Sequence, residues 1–184
     1  GCKEISRALI NRNRNLRVLS LHNNRIGEDV AELCMALYKH PLRSLSLALN
    51  DIADKGAMLV GDMLALNRSL QALYLNDNCI GPKSCVWLMN ALARNTSLTC
   101  LQLAWNSIGQ LSDGPRSIGR MLSSNKTLKQ LGLRENSLDS DGIRLAFGDS
   151  LHLSNLTDLD LGINELLDEG AHTVAKLLMH PMCP

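Results

Sequence analysis

Leucines recur along this chain on one internal ruler. Leu16, Leu19 and Leu21 are followed by Asn24 and Ile26, and Leu42, Leu45 and Leu47 by Asn50 and Ile52. The pattern returns from Leu70 through Asn78 to Ile80 and from Leu98 through Asn106 to Ile108. It returns again from Leu128 through Asn136 to Leu138 and from Leu156 through Asn164 to Leu166. Successive asparagines stand 26, 28, 28, 30 and 28 residues apart. Alternating leucines point to one face of a short strand, and the residues between them point to the other. The asparagine falls where the chain must leave the strand. Its amide can satisfy backbone groups that the turn leaves unpaired, which an apolar side chain cannot do. Six such residues, Asn24, Asn50, Asn78, Asn106, Asn136 and Asn164, predict a ladder running along a stack of repeats.

Behind each strand the period changes. Val30, Leu33, Ala36 and Leu37 in one repeat, and Leu88 and Leu92 in another, follow the i, i+3, i+4 spacing of an amphipathic helix. Each unit of about 28 residues is thus one strand and one helix, and neither can bury its apolar face alone. Parallel strands pack about 4.8 Å apart, whereas helices need roughly 8–10 Å. The stack must therefore bend, with strands on the inner side.

The stretches Ile26-Gly27, Ile52-Ala53-Asp54-Lys55-Gly56-Ala57, Ile80-Gly81 and Ala91-Leu92-Ala93-Arg94-Asn95-Thr96-Ser97-Leu98 resemble the phrase of the long, ribonuclease-inhibitor-like class of leucine-rich repeats. The resemblance covers essentially the whole chain. It implies an α/β, right-handed leucine-rich-repeat solenoid with parallel strands on the concave face and helices on the convex face. The matching residues are framework ones, so function is implied only broadly. The resemblance points to a non-catalytic protein–protein interaction scaffold in the cytoplasm. Such scaffolds serve as the sensor repeats of NOD-like receptors or as structural subunits of ciliary or cytoskeletal assemblies. The alternative it implies is a GTPase activator resembling that of Ran.

Two repeats depart from the mean length. Ile26 to Leu42 spans 16 residues, while Ile108 to Leu128 spans 20 and contains Ser112-Asp113-Gly114-Pro115, where Ser112 or Asp113 could cap a helix with Pro115 in its first turn. At the ends, Ile5, Ala8 and Leu9 read as the helix of a preceding repeat, and His180-Pro181-Met182 matches His40-Pro41-Leu42. The pattern thus predicts one array over 1–184 that begins and ends inside repeats. Such an array would be flanked by further repeats or docked in a larger assembly.

Composition narrows the function classes. The 184 residues carry a net charge of +1 and only 3% aromatic side chains, which argues against a nucleic-acid partner. No apolar run approaches the roughly 18 residues that span a bilayer. The charge is unevenly spread: +4 over residues 1–50, +4 over 51–134 and −7 over 135–184. Six scattered cysteines without a C-x₂-C pair read as reduced core filler rather than a zinc site or disulfide frame. The sequons at Asn67, Asn95, Asn125 and Asn155 read as one structural point of the repeat, its helix-to-strand turn. No phosphate-loop, dinucleotide, serine-hydrolase or zinc-protease motif occurs. The pattern therefore predicts no catalytic residue, no cofactor and no metal.

The informative positions are the variable ones on the strand face. Tyr74, Gln102, Trp105 and Arg134 fall on consecutive repeats, and Tyr, Trp and Arg are the types that dominate interface energetics. Asp158 and Asp160, alternate residues of the last strand, form an acidic contact patch on the same face. The spacing places that patch about two strands from Arg134. Trp87, one residue before a core position of its helix, is expected to pack half exposed on the convex side.

Overall fold

The computed structural model describes residues 1–11, 13–148 and 154–179. Six three-residue strands carry the alternating leucines: β1 (Val18–Ser20), β2 (Ser44–Ser46), β3 (Ala72–Tyr74), β4 (Cys100–Gln102), β5 (Gln130–Gly132) and β6 (Asp158–Asp160). They pair in parallel and in chain order. Their register sets Leu19, Leu45, Leu73, Leu101, Leu131 and Leu159 side by side. A helix follows every strand: α2 (Val30–Leu37), α3 (Ala53–Leu66), α4 (Pro82–Leu92), α5 (Asp113–Ser124), α6 (Ser140–Phe147) and α7 (Leu167–Leu178). Helix α1 (Cys2–Asn11) precedes β1, and each helix packs on its neighbours in sequence. The architecture is the expected α/β solenoid, one layer of strands against one of helices.

The core lies between the layers. Leu45, Leu73 and Leu101 are buried from the strands, and Val30, Leu33, Ala36, Leu37, Leu88 and Leu92 from the helices, so both periods read from the sequence face the same interior. Each such leucine contributes roughly 1.5–3 kcal/mol by leaving water. Phe147, the chain's one phenylalanine, closes this core from α6 with no exposed surface. On the helix side Trp87 is 45% exposed; its indole N–H donates to Asp62 Oδ1 at 2.8 Å and its ring lies against Gly61. Among the described residues no helix is long and apolar enough to cross a membrane.

The asparagine ladder ties consecutive repeats together. Asn78 Oδ1 accepts the Asn50 and Ile52 N–H groups at 3.1 and 3.2 Å, and its Nδ2 donates to the Leu47 and Asn76 carbonyls. Asn50, Asn106, Asn136 and Asn164 repeat this motif, each reaching back one repeat. Asn24 is the exposed first rung. Its Nδ2 donates only within its own loop, to Leu21 and His22.

A second ladder runs along the helix-to-strand turns. Asn67, Asn95 and Asn125 are buried, and each Oδ1 accepts the N–H groups two and three residues on. Each Nδ2 donates to a carbonyl of the preceding repeat. Buried amides so engaged cannot carry a glycan. Asn155 departs from the expectation that all four sequons mark one point: it stands directly before Leu156, is exposed, and donates to Lys126 O. His40 takes the ladder's place in the short first repeat, its Nε2 lying 2.7 Å from Asn13 O. His180, its counterpart by pattern, lies outside the described residues.

The long fourth repeat inserts a 3₁₀ turn, Ile108–Gln110, before α5. Pro115 lies in the first turn as expected, but neither Ser112 nor Asp113 caps through its side chain. Ser112 already has helical dihedrals (φ −61°, ψ −20°), which turn its hydroxyl away from the N–H groups beyond. Asp139, with an extended backbone, does cap α6 by accepting the Gly142 N–H at 2.7 Å.

Five cysteines are free among the described residues. Burial pushes the Cys34 thiol up to about 12, helped by the nearby Asp62 and Cys2; burial does the same to Cys85, against the hydrogen bond from Ser117. Both thiols are therefore neutral and inert in the folded chain. Their folded pKa values lie above the unfolded ones, so the stability they contribute is complete below about pH 9 and lost as pH rises toward 12. The unfolding midpoint in urea should fall steadily across that window. A thiol reagent at neutral pH should label exposed Cys79 in the folded chain and reach Cys34 and Cys85 only after unfolding. Rapid native labelling of either buried thiol would refute the assignment.

Candidate protein-interaction surface

Because the middle residue of every strand turns inward, its two neighbours face outward on the concave side. The positions after the inward leucine are Ser20, Ser46, Tyr74, Gln102, Gly132 and Asp160. Tyr74 is half-buried there. Partial burial raises its phenol above the ordinary range, and the neighbouring Cys100 thiol adds to the shift, so the hydroxyl stays neutral. Cys100 itself is nearly covered, and Gln102 Nε2 reaches its sulfur at 3.8 Å.

Glycines decide where the long side chains lie. Gln102 extends over β5 into the space that a Cβ on Gly132 would fill, and Arg134 extends over Gly162 in the same way. Asp160 Oδ1 accepts the Gly162 N–H at 2.9 Å and stands 3.1 Å from that same vacant Cβ position. Arg134 is thus a neighbour of Asp160, not two strands away as its spacing suggested. The arginine leans across the glycine to the next repeat, so cation and carboxylate form one mixed site. Asp158 is exposed at the start of β6.

Trp105 belongs to a column with an unusual backbone. The residue immediately before each ladder asparagine has positive φ: Asn23 57°, Leu49 57°, Asp77 53°, Trp105 59°, Glu135 51° and Ile163 50°. Their N–H groups are spent on the next repeat: Leu49 donates to Asn76 O, Asp77 to Ala104 O, Trp105 to Arg134 O and Glu135 to Gly162 O, all at 2.9 Å. The left-handed turn throws each side chain outward, which is why Trp105 is 52% exposed. Trp105 and Tyr74 line one open depression of about 560 Å³, with Leu49, Asp77, Asn76 and His22 among its other walls.

The structure therefore joins Tyr74 to Trp105, and Arg134 to Asp160, with Gln102 between the two pairs. Leu49 and Asp77 are surface members that reasoning from residue type passed over. For Leu49 and Asp77 the signal was present in the sequence, since both stand one residue before a ladder asparagine. Among the described residues no cluster of three or more His, Cys, Asp or Glu side chains is placed to hold a metal ion.

Comparison with known proteins agrees with this architecture. The family model described as Leucine Rich repeat matches residues 38–61, 66–86 and 94–110, and a second, Leucine Rich Repeat, matches 15–36. The human "NACHT, LRR and PYD domains-containing protein 14" is 32% identical over 218 residues, covering 100% of this chain and 20% of that protein. The human "NACHT, LRR and PYD domains-containing protein 5" is 32% identical over 233 residues, covering 93% of this chain and 17% of that protein. The chain spans about a fifth of the length of these curated relatives. Among solved structures, the C-terminal domain of tropomodulin from Caenorhabditis elegans superposes with a TM-score of 0.65 at 16% identity, covering 95% of this chain and 96% of that one. At that identity the likeness concerns the fold. With its repeat ruler, its stacked parallel strands and its asparagine ladder, this chain belongs to the leucine-rich-repeat proteins, of the long ribonuclease-inhibitor-like kind.

Proposed function

We propose that the chain is a non-catalytic docking module that binds a protein partner on its concave face, as the repeat region of a NOD-like-receptor-type protein. One observation carries this reading. The framework amides are consumed in holding repeats together, while Tyr74 and Trp105 stand over an open depression with no structural task of comparable weight. Large amphipathic side chains freed in this way are where interface energy concentrates. The curated relatives favour the receptor-type setting over a ciliary or cytoskeletal one, and their greater length supports a place among further repeats. Free cysteines support work in a reducing compartment such as the cytoplasm.

Truncating Trp105 or Arg134 to alanine should weaken partner binding by roughly 2 kcal/mol or more, about thirtyfold. Lys55→Ala, on the helix side, should change nothing, since its ion pair among the described residues is the exposed one with Glu28. Quantitative co-precipitation of the native partner with each variant checks this. Binding that survives Trp105→Ala and Arg134→Ala together, yet fails when helix-side residues change, would move the site to the convex face.

A further inference from the structure

The left-handed column just before the ladder asparagines carries a pattern that the fold does not ask for. At φ of 50–59° the backbone favours Asn, Asp or Gly, and a β-branched or bulky side chain there is a conformational outlier. Asn23 and Asp77 meet the preference. Leu49, Trp105 and Ile163 break it, and they are 39%, 52% and 55% exposed. Each is thus held in a disfavoured backbone state without being buried in return. Strained apolar side chains left exposed on one edge point to a use outside the chain.

The order along the column matters as much. From the second repeat to the sixth it reads Leu49, Asp77, Trp105, Glu135, Ile163, apolar and acidic by turns. Asp77 and Glu135 make no ion pair among the described residues. Flanking loops add the exposed carboxylates of Asp51 and Glu165 against the single cation of Arg25 at the far end, while Arg134 is drawn down over Gly162 toward Asp160. The edge is therefore an apolar line interleaved with uncompensated negative charge.

Its spacing selects the shape of what it fits. The N–H···O=C bonds linking successive column residues to the next repeat are those of a sheet, so neighbours are about 4.8 Å apart and Leu49 to Ile163 spans about 19 Å. An α-helix laid along the edge presents one side chain per 5.4 Å turn, and residues i, i+7 and i+14 cover about 21 Å. An extended segment presents same-face side chains every 6.6–6.8 Å or so and would be more than a repeat out of register over four steps.

We propose that this edge receives an amphipathic, basic α-helix of a protein partner. Apolar side chains at i, i+7 and i+14 sit beside Leu49, Trp105 and Ile163, and Lys or Arg one turn away sit beside Asp77 and Glu135. The assignment rests on the reading of the chain as a protein-docking module and names the chemistry of its partner.

The test is selection from a displayed library of helical peptides of about 18 residues, randomised along one face, with the 184-residue chain as bait. Selected sequences should carry apolar residues seven apart with Lys or Arg between them. A labelled synthetic copy of a selected peptide should lose at least about tenfold in affinity with Trp105→Asn, or with Asp77→Asn and Glu135→Gln together. It should also weaken between about 0.05 and 0.5 M salt, as the charges are screened. Folding controls the result, because asparagine suits the left-handed backbone: Trp105→Asn and Ile163→Asn should melt at or above the wild-type temperature. A library that returns no binder, or binders with neutral or acidic residues between the apolar ones, overturns the proposal. So does binding indifferent to the edge variants. If that binding is instead lost with Tyr74→Ala and Gln102→Ala, the concave-face reading stands without the helix; indifference to both sets removes both.

Discussion

Leu103→Ala should destabilise the chain by roughly 2–5 kcal/mol, the range for emptying a buried leucine site. Leu103 has no exposed surface and sits where the strand layer meets the asparagine ladder. Its backbone is pinned on both sides: its N–H donates to Gly132 O at 2.9 Å, and its carbonyl accepts from Asn106 and Asn136. The main chain therefore cannot collapse into the space left by the missing isobutyl group, which places the cost toward the upper end. Urea denaturation followed by circular dichroism measures it. Leu111→Ala, at a leucine 56% exposed, should stay within about 0.5 kcal/mol of wild type. Equal midpoints for the two variants would mean that the core has been misplaced.

Asn106→Ala should cost about 3 kcal/mol or more. Its Oδ1 is the acceptor for the Asn78 and Ile80 N–H groups at 3.1 and 2.9 Å, both on fully buried residues, and an unpaired buried group costs about 1–3 kcal/mol. Its Nδ2 also donates to Leu75, Leu103 and Ala104 carbonyls, so one substitution opens hydrogen bonds in two repeats. Asn24→Ala removes the same side chain from the same motif, but Asn24 is exposed and its side chain bonds only within its own loop. It should cost no more than about 1 kcal/mol. Equal losses for the two would show that the stabilisation is local to each loop and not shared between repeats.

Much of the framework was legible because each framework role needs a particular chemistry at a fixed interval. An inward leucine fills the space behind strands about 4.8 Å apart, and an amide both accepts and donates at the turn. Capping was less legible: Ser112 and Asp113 have the right residue types, yet Ser112 already has helical dihedrals at the start of α5, where a side-chain cap needs an extended backbone. The fourth sequon was misread for a related reason. Asn155 matches Asn67, Asn95 and Asn125 in its local triplet but not in its distance from the strand leucine, and that distance decides which backbone groups an amide can reach.

The strand face shows the boundary most clearly. Leucine periodicity and the asparagine positions determined by themselves that Tyr74, Gln102, Trp105, Arg134, Asp158 and Asp160 would share one side of the molecule, since side-chain direction along a strand is a property of local geometry. Which of them meet was decided only in the folded stack. Arg134 came to lie beside Asp160 because Gly162 left room one repeat away, and Trp105 came to share a depression with Tyr74 because a left-handed turn swung the indole outward. Direction depends on a residue's own backbone, but proximity depends on what the next repeat leaves empty, and that volume is not written in the spacing.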